Sequence, residues 1–154
     1  EAWDFVAAYK EHYKTIATSK TSLIKNAKEA VVSASSFANL GVVTTKTALY
    51  TKDILAHFGL LHFFQVVIGR EDVERPKPYP EPILKAIELL GADKKSTWIV
   101  GDTILDLLAA KAADIKGVGV LCGYGKKEDL EKFTSYISAD ALQAVTLIKT
   151  FLTK

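Results

Sequence analysis

Five residues of this 154-residue chain, Thr44, Thr45, Lys77, Asp102 and Asp106, have side chains suited to an anion and a divalent cation. Hydroxyls solvate phosphate oxygens, and a lysine ammonium neutralises their charge. A carboxylate is a hard oxygen ligand suited to Mg²⁺, which prefers near-octahedral geometry and usually keeps waters. Held together, these groups would bind a phosphate ester and stabilise charge during phosphoryl transfer. Singly, each has an ordinary explanation. Thr44-Thr45 can cap a turn, Lys77 can be a solvated loop lysine, and Asp102 or Asp106 can cap a helix or join an ion pair. Their order along the chain, and the elements that precede them, decide between the two readings.

Short apolar runs alternate with helical patterns along most of the chain. Positions 23–40 repeat apolar residues at three- and four-residue steps and stop at Gly41, which predicts a helix. Residues 42–46 then read as a buried strand whose end turns polar at Thr44 and Thr45. A short helix is expected over 51–58 and a second strand over 63–68. All four prolines fall between Arg75 and Pro82, a stiff loop that presents Lys77. Pro82 opens a helix ending at Gly91, and Thr97-Trp98-Ile99-Val100 forms a third strand leading to Gly101-Asp102. A helix is predicted over 104–114, a fourth strand over 117–121, a flexible turn at 123–125, a short fifth strand over 136–139 and a terminal helix through Leu152. Strands that are apolar throughout and alternate with amphipathic helices imply a doubly wound parallel α/β sheet covered on both faces. In such sheets ligands bind outside the carboxyl ends of the strands, where all five candidate residues fall.

The order Thr44, Lys77, Gly101-Asp102, Asp106 resembles the haloacid dehalogenase superfamily of phosphohydrolases, and within it the phosphoglycolate phosphatase-like group. The matching strings are Gly-Val-Val-Thr-Thr-Lys at 41–46, Arg-Pro-Lys-Pro-Tyr-Pro-Glu-Pro at 75–82 and Trp-Ile-Val-Gly-Asp-Thr at 98–103, continuing to Asp106. The resemblance implies a Rossmann-like core and Mg²⁺-dependent hydrolysis of a small phosphorylated metabolite through an aspartyl-phosphate. It casts Thr44 as the hydroxyl holding the transferring phosphoryl group and Lys77 as the lysine steadying nucleophile and phosphate. Asp102 becomes the Mg²⁺ ligand and Asp106 its supporting acid. Thr45 stands where the group often has Asn, so one hydroxyl donor replaces an amide's two.

Residues 3–19 carry Trp3, Val6, Tyr9, Tyr13, Ile16 and Ala17 in a helical stripe, followed by a polar run from Thr18 to Ser22. The resemblance makes residues 1–22 the remnant of a helical cap with its linker, and residues 23–154 a core lacking its first strand. In relatives that strand ends in Asp-x-Asp, the nucleophile and the general acid and base; no Asp-x-Asp occurs here. The strand would lie mid-sheet, and its loss would leave two buried strands short of backbone partners. The chain therefore reads as the C-terminal portion of a longer phosphatase, inactive by itself. Its nucleophile would come from a leading segment or from another copy of the chain.

Two rival classes remain. A non-catalytic phosphate-binding or interaction module of the same fold would keep Thr44, Lys77 and Asp102 without ever having the nucleophile. A phospho-acceptor receiver domain has its acids first and its lysine last, the reverse of the order here. A net charge of +2, with no basic stripe interleaved with aromatics, argues against a nucleic-acid partner. The single cysteine, Cys122, excludes a disulfide framework and fits a cytoplasmic setting, and no apolar run approaches the roughly 20 residues of a membrane span. His12, His57 and His62 are scattered, which disfavours a histidine-based site.

Overall fold

β-branched and apolar residues in short runs need both faces of their sheet covered, and the chain meets this with helices on either side. The computed structural model describes residues 3–8 and 26–152. Six strands, β1 (Trp3–Ala8), β2 (Ala38–Val43), β3 (Val66–Ile68), β4 (Thr97–Gly101), β5 (Lys116–Val120) and β6 (Tyr136–Ser138), form one sheet in the order β3-β2-β1-β4-β5-β6. Every neighbouring pair is parallel. The helices are α1 (Ala27–Ser35), α2 (Ala48–His57), α3 (Glu81–Leu90), α4 (Ile104–Ala112), α5 (Lys127–Leu130) and α6 (Ala141–Leu152). The expected doubly wound parallel α/β fold is the fold observed.

Side chains alternate cleanly between the two faces. Leu40 and Val42 of β2, Trp98 and Val100 of β4, and Val118 and Val120 of β5 pack with Ala30, Val31 and Ala34 of α1 and Ala144, Val145 and Ile148 of α6. On the other face Ile99 meets Ile83 and Ile87 of α3 and Ala109 and Ala110 of α4, while Val43, Val66 and Ile68 surround Ala86 of α3. Trp98 is fully buried, its ring 5.2 Å from that of Tyr136 and 4.9 Å from that of Phe151. At about 25 cal/mol per Å² of apolar surface, a few such large residues contribute several kcal/mol apiece at most, so the core is a sum of many contacts.

The structure departs from the sequence reading in four places. The helical stripe predicted over 3–19 is, for Trp3–Ala8, strand β1 in the middle of the sheet; residues 9–19 and the boundary near residue 22 lie outside the described residues. The core therefore does not lack a strand between β2 and β4. Trp3 to Ala8 run beside Ala38 to Val43, and Asp4 to Ala7 beside Thr97 to Val100. Two buried strands with unpaired N–H and C=O groups cost more than a helical propensity is worth, so the sheet's demand overrides the periodicity. The helix expected to reach Leu40 ends at Ser35, and β2 begins at Ala38. There the Ser35 and Ser36 hydroxyls donate to Val32 O (2.7 Å) and Ser33 O (2.6 Å), local bonds that compete with helix propagation. Helix α2 starts at Ala48 rather than Thr51, because Thr47 in an extended conformation accepts from Tyr50 N at 3.2 Å and caps it. The strand predicted over 63–68 shrinks to Val66–Ile68 behind a 3₁₀ turn at Leu61–Phe63.

Candidate functional site

Strand β4 is apolar and buried along its length, so it cannot stop in the core; it stops at Gly101, where Asp102 and Thr103 turn the chain into α4. Thr103, extended at φ −132°, is the N-cap, and Asp106 is the third helical residue. Their side chains satisfy each other's backbone, a reciprocal capping box. Asp106 is completely buried, and its Oδ2 accepts from Asp102 N (3.1 Å), Thr103 N (3.1 Å) and the Thr103 hydroxyl (3.0 Å). Its Oδ1 accepts from Lys77 Nζ at 2.6 Å. The capping duty that either aspartate might have filled thus belongs to Thr103 and Asp106. Asp102 is left at the strand's tip with its carboxylate outside the cap.

Lys77 comes from the proline loop, which is braced before it arrives. Glu81, at the start of α3, accepts from Glu74 N at 2.9 Å and from Arg75 N at 3.1 Å. The Lys77 side chain is 1% exposed, and its ammonium donates to the carbonyl of Val43, the last residue of β2, at 3.4 Å as well as to Asp106. One lysine therefore ties the end of β2 to the end of β4. Thr44, the residue after Val43, is 7% exposed and donates its N–H to Ile68 O at 3.0 Å. Its hydroxyl oxygen accepts from Lys46 N at 3.2 Å, and a hydroxyl that accepts in this way still has its own hydrogen to donate. Thr45 is half-buried beside it and makes no hydrogen bond among the described residues.

Asp102 is 3% exposed and is wrapped by the turn after β5. Tyr124 N donates to its Oδ2 at 3.1 Å, and Gly125 N donates to its carbonyl at 2.8 Å. A Cβ at position 123 would stand 2.1 Å from Asp102 Oδ2, so only glycine lets the turn close over the carboxylate. The sequence marked 123–125 as a flexible turn and missed this role; two glycines straight after an apolar strand were the available signal. Next to this turn, burial pushes the Cys122 thiol pKa up, and the negative charge of Asp102 adds to the effect.

The middle of the rim belongs to β1. Ala8 lies opposite Val43 and Ala7 opposite Val100, so this strand ends level with Thr44 and with Gly101-Asp102. Chain order reverses here, β2 lying to one side of β1 and β4 to the other, which is where ligands bind in open α/β sheets. Among the described residues of β1, no acid stands at that end. Asp4 is in register with Asn39 and Thr97, at the opposite end of the strand, roughly 13 Å from Ala8 at about 3.3 Å per residue. Among the described residues no three His, Cys, Asp or Glu side chains gather as a metal site. The carboxylate pair expected at this rim therefore divides its labour: Asp106 is engaged by Lys77, Asp102 N and Thr103, while Asp102 lies under the 123–125 turn and accepts from Tyr124 N. A cleft of about 560 Å³ lined by Lys95, Lys111 and Tyr136 lies at the amino ends of the strands, away from these groups.

None of the described helices is long and apolar enough to cross a membrane. The model of the haloacid dehalogenase-like hydrolases matches residues 1–120. Among curated proteins, a phosphoglycolate phosphatase of Colwellia psychrerythraea is 30% identical over 132 residues, covering 84% of this chain and 58% of that protein. The protein named pyrophosphatase PpaX of Caldanaerobacter subterraneus is 32% identical over 147 residues, covering 95% of this chain and 64% of its own length. Among solved structures, a predicted phosphoglycolate phosphatase from Haemophilus somnus superposes with a TM-score of 0.78 at 26% identity, covering 88% of this chain and 61% of that one. The chain thus spans about six-tenths of the length of these relatives. With the threonine, the lysine and both aspartates gathered at one rim of a doubly wound sheet and a family match over most of its length, the chain belongs to the haloacid dehalogenase-like hydrolases.

Proposed function

We propose that the protein to which this chain belongs is a Mg²⁺-dependent phosphomonoester hydrolase, phosphoglycolate phosphatase-like, acting on a small phosphorylated metabolite in the cytoplasm. The observation that carries this reading is the convergence on Lys77: its ammonium touches Val43 O beside Thr44 and the Oδ1 of Asp106, whose other oxygen, Oδ2, accepts from the backbone N–H of Asp102. The Thr44 hydroxyl donates to an oxygen of the phosphoryl group, with Thr45 at the edge of the same turn. Lys77 places positive charge next to it. Asp102 is the side chain that would hold Mg²⁺, an ion commonly bound through one or two carboxylates with waters and substrate phosphate; when bound, it neutralises phosphate charge. Asp106 positions both Lys77 and Asp102 and is not free to ligate.

The attacking carboxylate comes from outside the described residues, from a leading segment or another copy of the chain. Its oxygen bonds to phosphorus as the ester P–O bond breaks, and the departing alkoxide takes a proton from the second acid of the same segment. Water then cleaves the acyl phosphate, releasing inorganic phosphate and the free carboxylate. This chain alone is expected to be inactive. The test compares the full-length protein with this chain for Mg²⁺-dependent hydrolysis of an aryl phosphate, with phosphoglycolate and inorganic pyrophosphate as competing substrates. Hydrolysis by the full-length protein that Asp102→Asn removes supports the reading; hydrolysis by this chain that survives Asp102→Asn overturns it. A second reading, a non-catalytic phosphate-binding module, draws on β1, whose described residues fill the middle of the sheet and bring no acid to the rim. Phosphate binding without turnover in the full-length protein would favour it.

A further inference from the structure

A carboxylate outside the catalytic set grips the turn that carries Thr44. Glu71 sits in the 3₁₀ turn Arg70–Asp72 that follows β3. Both of its oxygens accept from Ala48 N, at 2.9 and 3.1 Å. Ala48 is the first residue of α2, and the first N–H groups of a helix have no intrahelical partner. Thr47 satisfies one of them through its hydroxyl, and Glu71 satisfies another from across the loop.

Two further bonds join the same segments. Thr44 N donates to Ile68 O at 3.0 Å, and Arg70 N donates to Lys46 O at 2.7 Å. With Glu71 on Ala48, the ties run in step along residues 44, 46 and 48, extending the β2–β3 ladder beyond both strands. The contact is close: a Cβ on Gly69 would lie 2.1 Å from Ala48 N. Lys46 stands at the centre of this grip, and its N–H is the donor that orients the Thr44 hydroxyl. The Ala48 N–H bond also lowers the Glu71 pKa, so the side chain is a carboxylate at neutral pH although solvent reaches it.

We propose that Glu71 is a positioning residue that holds the Thr44 hydroxyl in its phosphate-binding orientation by clamping residues 46–48; this rests on the function proposed above. The negative charge on Glu71 also fills the amino end of α2, a place that favours anions, so the phosphoryl group is left to Thr44 and Lys77.

The experiment is a double-mutant cycle in the full-length enzyme, reading KM and kcat for an aryl phosphate and competitive inhibition by inorganic phosphate. Glu71→Ala is expected to raise the phosphate inhibition constant and KM together by about fivefold, the size of losing one cap. Glu71→Gln, whose amide oxygen still accepts from Ala48 N, is expected to return both to within about twofold. In a Thr44→Val background Glu71→Ala should add nothing, because the group it positions is gone. A general loss of stability would instead add to Thr44→Val, and that additivity, or an unchanged inhibition constant in Glu71→Ala, overturns the proposal. If Asp102→Asn abolishes hydrolysis while Glu71→Ala is silent, this inference alone falls. If hydrolysis survives Asp102→Asn, the proposed function falls first.

Discussion

Strands β1 and β4 are neighbours at the centre of the sheet, paired from Asp4 with Thr97 to Ala7 with Val100, and their ends could hardly differ more. β4 delivers Gly101 and Asp102 to a rim where Asp106, Thr103, Lys77 and the 123–125 turn occupy almost every polar atom. Among its described residues β1 delivers Ala7 and Ala8 to the same rim and no carboxylate. Backbone pairing alone is enough to place a strand at the switch point, because hydrogen bonding there is indifferent to side chains. Chemistry is not indifferent. Position comes from the sheet, and function comes from which residues stand at the strand's tip.

The largest test of this contrast strikes the β4 side. Asp106→Ala leaves the buried Lys77 ammonium without its partner and should destabilise the chain by about 3–5 kcal/mol, read as a lower urea midpoint. For a chain of this size that lowers Tm on the order of 10 °C. The pair replacement Lys77→Met with Asp106→Leu should recover only part of that stability, because Asp102 N and Thr103 N lose the Asp106 Oδ2 acceptor, while abolishing phosphate binding.

The β1 side is tested by Val6→Pro, which removes a backbone donor from a central strand and should cost about 3 kcal/mol or more. Amide exchange should slow across residues 5–7 in the unsubstituted chain and lose that protection in the variant. An unchanged midpoint would remove Trp3–Ala8 from the sheet and end the comparison.

A smaller effect is expected from Gly123→Ala. The added Cβ has to displace either the turn or the Asp102 carboxylate, at a cost of about 1–3 kcal/mol. Mg²⁺ affinity measured by calorimetry should fall about tenfold or more, because the group orienting the ligand has moved. The smallest effect concerns Cys122. Burial and the Asp102 charge hold its pKa above the ordinary 9.0, so less thiolate exists at any pH below that value. Iodoacetamide should label it more slowly at pH 8 than a free cysteine peptide, and Asp102→Asn should remove the smaller part of that protection.

Most of the site was legible because its signals are local and do not depend on what lies across the fold. A proline-dense loop stays rigid wherever it sits, which marked Lys77. An apolar run broken by Gly101-Asp102 ends a buried strand whatever its neighbours, which marked Asp102. Helix periodicity located the starts of α3 and α4 to within a residue and carried the terminal helix through Leu152. Less legible were the partners: nothing local says that Lys77 reaches both Val43 and Asp106, that Glu71 caps a helix 23 residues away, or that Gly123 must be bare because Asp102 lies beneath it.

The amino-acid order by itself determined the alternation of strands and helices, the parallel sheet, and the residue types present at each strand end, since all of these follow from hydrophobic period and turn chemistry within a few residues. Only the tertiary structure decided that Trp3–Ala8 is a strand, because its helical stripe competes with a need felt across the sheet, the unpaired backbone of β2 and β4. Only it decided how Asp106 gives the support that the resemblance implied, since that depends on a 2.6 Å contact with a lysine 29 residues away. Local preference is worth tenths of a kcal/mol per residue, and a buried polar group left unpaired costs a few kcal/mol, so where the two conflict the distant partner decides.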